Sequence, residues 1–419
     1  MSASPLLFVL SWSAFAAVAT SDGANVQEAP IGEPPPEAGA PSQPAAAPAL
    51  PPPTPPTPTP PPLEPPARPS SPPAIHGFAR LRVAGRYYSV NGGPNGSAVD
   101  STFGEFGASS QIHKNVSVAL SFYSSGDGSI SLENAIVGLD FVDAIHLWIG
   151  QMLVPTDRSN LGGPFSAIAW NFYPGLLAYG AGTRVVALPR QNSVGRDGGA
   201  ALWGDLGDKK LHYALGIFLP RASMLNGAPA AQTPLVSGRL GIAILGNESG
   251  YTSRSTYFGD RDIVAVGIDG QFQKDGSIGV APPNAMGVPA GVAPATDNYA
   301  ELNSDLLVEM RYAGGGYFTL AGAYYRYFGN NEPIKDEVSI FGAIATPRLG
   351  VGQLQPYGRW QWFSPTPSSV EFKTFAVDAG VNYLVMGPAL RFMLAFQHVD
   401  LGNDQRSNVV QLGAQASVF

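Results

Sequence analysis

The chain has 419 residues, no cysteine, only 13% charged residues and a net charge of −7. The missing cysteine excludes disulfides and thiolate chemistry. Mean hydropathy is near zero, and beyond the N-terminus no window supplies the roughly 20 consecutive apolar residues of a spanning helix. Five of the 31 acidic and one of the 24 basic residues precede Ile75, so the remainder carries −3 and offers no basic field for nucleic acid.

Residues 1–24 hold an apolar run (5–19) followed by small residues, which predicts a secretory signal peptide; a buried helix is the alternative, since the first basic residue is Arg68. Residues 25–74 form a Pro-rich linker. Its core, 29–73, contains 21 prolines, so it has no means of burying a core and is expected to be a disordered, polyproline-like spacer on the periplasmic side. It serves either as a bare leader or as a contact to peptidoglycan or a periplasmic protein.

From residue 75 onward the pattern changes to segments of alternating polarity separated by Gly, Asn, Asp and Pro turns. Sixteen strands are predicted: 77–90, 103–112, 116–125, 130–141, 144–152, 197–206, 210–218, 235–245, 263–273, 300–313, 317–327, 338–348, 354–363, 372–384, 389–399 and 408–419. Dyad segments with one apolar face, high Gly (50 residues) and 10% aromatics indicate an all-β transmembrane antiparallel barrel. The connections alternate between short (113–115, 142–143, 207–209, 314–316, 349–353, 385–388) and mostly longer ones, as barrels with turns on one side require. One breaks the rule: 246–262 is long for a turn, and either a mispaired strand or an extra hairpin is expected there.

The phase within strands tells inside from outside. Leu81, Val83 and Tyr87 oppose Arg80, Arg82 and Arg86; Leu302, Leu306, Val308, Met310 and Tyr312 oppose Glu301, Asn303, Asp305, Glu309 and Arg311. Trp360 and Trp362 oppose Arg359 and Gln361, and Val410, Leu412, Ala414, Ala416 and Val418 oppose Gln411, Gly413, Gln415 and Ser417. Charge is costly against lipid, so the charged phase must line the interior. Sixteen strands leave a lumen wide enough for water.

The longest connection, 153–196, follows the fifth strand and carries Phe165, Trp170, Phe172, Tyr173 and Tyr179 for packing against a wall. A loop of that length in a tight design is functional or disordered. It also carries Arg158, Arg184, Arg190 and Arg196 against Asp157 alone. Folded inward, these arginines attract anions, because guanidinium presents fixed donors to phosphate and carboxylate oxygens. Left outside, they meet lipopolysaccharide.

Residues 147–165 (LWIGQMLVPTDRSNLGGPF) resemble the G-x-x-x-V-P-x-x-x-x-N-L-x-x-P-F segment of the phosphate-selective porins O and P. Residues 194–218 (VGRDGGAALWGDLGDKKLHYALGIF) are similar to the GRD-G hairpin of the same family, and Phe419 matches the terminal Phe of bacterial outer-membrane barrels. The resemblance implies a 16-stranded, trimeric channel in the bacterial outer membrane, with a third loop folded inward and an arginine-lined path for anions such as phosphate. The candidate lumen and constriction residues are Arg80, Arg82, Arg86, Arg158, Arg184, Arg190, Arg239, Arg359 and Arg391. Each is equally placed to be half of a lumenal ion pair. The family's lysines have no counterpart in 153–194.

Catalytic patterns are missing from the sequence. The five histidines (His76, His113, His146, His212, His398) lack metal-pair spacing, and no Gly-x-Ser-x-Gly elbow occurs. No cofactor and no metal is expected. The partners expected are outer-membrane lipid, lipopolysaccharide, small anionic solutes and two further copies of the chain. A porin for passive diffusion of small hydrophilic solutes is the first expectation. The alternatives are a non-conducting structural or adhesion barrel anchored through its leader, a barrel enzyme using His398 and Asp400, and a transporter of hydrophobic solutes.

Overall fold

The computed structural model describes residues 74–90, 95–124, 129–170, 195–219, 233–278, 296–328, 334–365, 374–400 and 406–418. The signal-peptide and linker segments, Arg184, Arg190 and Phe419 lie outside the described residues.

Sixteen strands follow one another: β1 (Ile75–Val90), β2 (Gly96–His113), β3 (Val116–Ser124), β4 (Ile130–Val142), β5 (Ile145–Leu153), β6 (Arg196–Leu206), β7 (Leu211–Phe218) and β8 (Leu235–Leu245). Then come β9 (Ile263–Ile278), β10 (Thr296–Tyr312), β11 (Gly316–Phe328), β12 (Ile334–Ala345), β13 (Gln353–Pro365), β14 (Thr374–Leu384), β15 (Leu390–Asp400) and β16 (Arg406–Val418). Each pairs antiparallel with its neighbours in sequence, and β1 pairs with β16, with Arg82 opposite Gln415, to close the ring. Closure leaves no unpaired sheet edge, the condition for a sheet to cross a bilayer.

Alternation sets the two faces. On β16, Leu412 is 66% exposed outward while Gln411 and Gln415 are buried inward. On β10, Leu302 faces out and Glu301, Asn303, Asp305 and Glu309 face in. Exposed aromatics ring the outer surface at two levels: Phe141, Tyr312, Phe318 and Phe392 near the short turns, and Tyr87, Phe272, Phe328 and Trp362 toward the other end. Apolar wall between two aromatic girdles is the profile of a bilayer-embedded barrel.

One connection departs from the expected pattern. Residues 246–262 form no ladder pairing and are neither a mispaired strand nor a hairpin. The segment leaves the mouth that carries the short turns and folds into the barrel. Residues 154–170 enter from the opposite mouth. The interior is therefore packed as well as polar: Met152, Val154, Leu161, Trp203, Phe218 and Tyr251 form one internal apolar cluster, and Ile168, Trp170, Tyr357 and Met393 belong to another.

Candidate functional site

The first inward segment starts where β5 ends. Val154 N–H donates to Gly195 O (3.0 Å) and closes the base of the loop. Gly195 has φ +72°, and a Cβ there would sit 1.8 Å from Asn160 Oδ1, so both conformation and space demand glycine. Asp157 caps the short helix α1 (Arg158–Gly162) by accepting from Ser159 N–H (2.8 Å) and Asn160 N–H (3.2 Å). Tyr325 OH on β11 donates to the same carboxylate (3.1 Å).

The segment then crosses the lumen. Its far end is held through its own carbonyls by the opposite wall. Arg391 on β15 donates to Ala167 O (2.6 Å) and Ile168 O (3.3 Å), and Asn382 on β14 also reaches Ile168 O (3.1 Å). Gln415 on β16 donates to Phe165 O (3.1 Å). Arg82 on β1 donates to Trp170 O (2.8 Å), its guanidinium 4.0 Å from the Trp170 ring centre. The near end is held by β8, where Ser237 donates to Pro155 O, and by β10. In a ring of sixteen, β8 and β16 stand on opposite sides.

The second segment, 246–262, meets the first inside. Glu248 forms a bidentate pair with Arg158, Nη1 to Oε1 at 2.5 Å and Nη2 to Oε2 at 2.8 Å. Arg158 also donates to Asp305 (3.1 Å) and Arg254 O (3.0 Å). Tyr257 OH adds a bond to Glu248 (2.8 Å), and Tyr251 OH donates to Leu153 O (2.6 Å). Glu309 on β10 collects Thr256 Oγ1, Tyr257 N–H (3.3 Å) and Gly259 N–H (2.7 Å). Burial pushes the Glu248 carboxyl up, but the hydrogen bond and charge of Arg158 outweigh it and leave it below the usual carboxylate range. Arg158, opposed by burial and supported by Glu248, is held above its ordinary value. Burial and the charge of Asp305 push Asp157 up to about 6.

Among the described residues, the remaining predicted arginines, Arg80, Arg86, Arg239 and Arg359, lie on the inward phase. Arg239 is buried against Asp269 (3.3 Å) and Asp305 (2.6 Å), Arg359 against Asp378 (2.8 Å), and Arg80 contacts Glu105 (3.3 Å). Arg86 is half-buried on β1. Arg158, Arg239 and Asp305 come together in one cluster; Arg82 and Arg391 come together on the far wall as carbonyl clamps. Sequence reasoning missed Glu248, Tyr251 and Glu309 as members of the site. The signal for two of them was the unusual length of 246–262.

Charge is unevenly spread around the ring. β9, β10 and β12 present Asp269, Glu301, Asp305, Glu309 and Glu337 to the interior, with Arg239 of β8 against two of them, while β13, β15 and β1 present Arg359, Arg391, Arg80, Arg82 and Arg86, with Asp378 and Glu105 on the neighbouring strands β14 and β2. Between the first segment and β11–β13 a crevice remains, lined by Ser159, Ile168, Ser255, Ser339, Phe341 and Arg359.

No protein-family model and no curated protein matches the chain. Solved structures do. OprB of Pseudomonas putida is 10% identical over 82% of this chain and 94% of its own, with a TM-score of 0.57. OmpT, an outer membrane protein of Vibrio cholerae solved in a trimer form, is 12% identical over 83% and 100%, with a TM-score of 0.52. An anion-selective porin of Comamonas acidovorans is 11% identical over 83% and 100%, with a TM-score of 0.50. At these identities the likeness is one of fold: a 16-stranded barrel of the outer-membrane porin type. With its girdled apolar exterior, the barrel belongs in a bacterial outer membrane.

Proposed function

We propose that the protein is an outer-membrane porin that lets small hydrophilic solutes diffuse through a narrowed lumen. The observation that carries this reading is the polar interior, richer in carboxylates from β9 to β12 and in arginine from β13 to β1, crossed by residues 154–170. A pore whose walls differ in this way orders solute dipoles and favours each sign on a different side. Small anions, phosphate among them, follow the arginine wall; Arg80, Arg82, Arg86, Arg359 and Arg391 are the residues assigned to that path, with Arg158, Arg184, Arg190 and Arg239 completing the set read from sequence. The working unit is a homotrimer in contact with lipid and lipopolysaccharide. Residues 1–24 serve as a signal peptide and residues 25–74 as a Pro-rich linker.

Liposome swelling tests this directly. Proteoliposomes are expected to swell in small sugars and in small organic anions, faster in the anions at equal size. Swelling equal to that of protein-free liposomes would remove the channel reading, and faster entry of cations would remove the anion preference alone.

A second reading has a specific observation behind it. Two segments from opposite mouths are joined by a buried ion pair, which favours a non-conducting, plugged barrel of structural role. Folded barrels that never admit solute would support it.

A further inference from the structure

Porin-like barrels of this size need one inward loop to narrow them, and here residues 154–170 already span the lumen. Residues 246–262 add a second inward segment from the other mouth. It contacts both the wall and the first segment. Glu248 grips Arg158, Tyr251 binds Leu153 O, and Ser255 lies so close to Gly162 that a Cβ on Gly162 would come 2.5 Å from Ser255 Oγ. The aromatic ring of Tyr251 is wedged 4.6 Å from Trp148 and 6.0 Å from Trp203, which fills the side of the lumen next to β5 and β6. A crevice lies on the other side, against β11–β13, and Ser255 is where the second segment borders it. The Ser255 hydroxyl has no hydrogen-bond partner and is screened from solvent beside Gly162.

We propose that residues 246–262 are a second constriction element, which closes the barrel from the turn-side mouth and confines solute to the crevice bordered by Ser159, Ser255, Ser339 and Arg359. The inference rests on the channel reading above. It makes the passage off-axis and amphipathic: Ser159, Ser255, Ser339, Arg158, Arg359 and Asp305 line it together with the apolar Ile168 and Phe341. Such a slot suits small solutes that combine a hydrogen-bonding or anionic group with a short apolar body, such as short-chain carboxylates.

The chain's lack of cysteine makes a thiol placed at one position a unique probe. Ser255→Cys and Ser109→Cys are compared with the unsubstituted protein in a planar bilayer, before and after an anionic methanethiosulfonate, with labelling checked by mass. Ser109 is exposed, shares the inward phase of Glu105 and lies on β2, away from the crevice. The proposal expects labelled Ser255→Cys to lose most of its conductance and labelled Ser109→Cys to keep it. Ser255→Cys that labels fully with conductance retained, or that cannot be labelled while the channel conducts, overturns the second constriction and leaves the channel standing. A silent unsubstituted barrel overturns both.

Discussion

Arg158 and Glu248 enter the barrel from opposite mouths and meet in a two-pronged ion pair at 2.5 and 2.8 Å, within which Arg158 is 4% exposed and Glu248 9%. Neither lies on a strand, so the pair fixes two connections to each other. Arg158 also touches Asp305 on β10, which ties the junction to the wall.

Removing one partner of such a pair strands the other charge in a dry setting. Glu248→Gln is expected to weaken the docking of both segments by about 3–5 kcal/mol, the usual loss for a broken buried pair. Limited proteolysis of the refolded barrel reads this as faster cleavage after Arg254 and Arg261. The barrel's own resistance to unfolding should hardly change, because the strand ladder is untouched.

The carbonyl clamp on the far wall makes a separate prediction. Arg391→Met leaves Ala167 O and Ile168 O without their charged donor, each such bond being worth roughly 1.5–3 kcal/mol. Asn382 still reaches Ile168 O, so the segment loosens without leaving. Single-channel records should show larger and noisier steps. Arg391→Lys, with a point charge and no planar fork, should restore only part of the quiet behaviour.

Acid should open the junction. Glu248 has a depressed carboxyl pKa, so its contribution is complete above the ordinary glutamate value and disappears as pH falls through the lower, folded value. Asp157 runs the other way: its raised value means that it takes up a proton near pH 6, and docking strengthens between there and its ordinary range. The groups facing this pair are Arg158, Tyr257, Asp305, Arg239 and Tyr325. Conductance should therefore hold or fall slightly from pH 7 to 5 and rise below about pH 4. In Glu248→Gln the rise below pH 4 should vanish. A monotonic rise from pH 7 in both proteins would contradict the assignment.

Gly195→Ala should cripple the first segment. The substitution forces a side chain into left-handed backbone, at roughly 1–2 kcal/mol, and onto Asn160 Oδ1 at 1.8 Å. Refolding yield is the readout, with Gly85→Ala on β1, where nothing lies within 4 Å, as the tolerated comparison.

The outward phase is tested by Leu302→Arg. Leu302 is 48% exposed on the outer wall, one outward step inside the girdle level of Phe272 and Phe328, where arginine costs about 1–3 kcal/mol, between the interfacial and midplane values. Urea unfolding in lipid should show a loss of that size, whereas a comparable polar change at inward Asn303 should not cost a lipid-facing penalty.

Much of the wall was legible because alternation is enforced by lipid on one side. The bounds of 235–245 agree with β8 to the residue, and the inward phase of Arg82, Asp305 and Gln415 followed from their apolar neighbours. Strands β2, β9 and β10 run further toward the long connections than expected, to Gly96, Ile278 and Thr296. Beyond the bilayer nothing requires an apolar face, so the dyad pattern fades while the ladder hydrogen bonds continue. The interior was less legible. That Arg391 would hold two carbonyls, and that Glu248 would find Arg158 ninety positions away, depends on where two connections fold, and no local propensity encodes a connection turning inward. The length of 246–262 was visible; its direction was set by Tyr251, Tyr257 and Glu248 finding partners across the lumen.

The most direct test of the channel is single-channel recording of the refolded, unsubstituted protein in a planar bilayer, in a KCl gradient and then with added phosphate. Discrete conductance steps with an anion-selective reversal potential, reduced by phosphate, are predicted. Well-folded barrels that give no steps would contradict the account and leave a plugged structural barrel in its place.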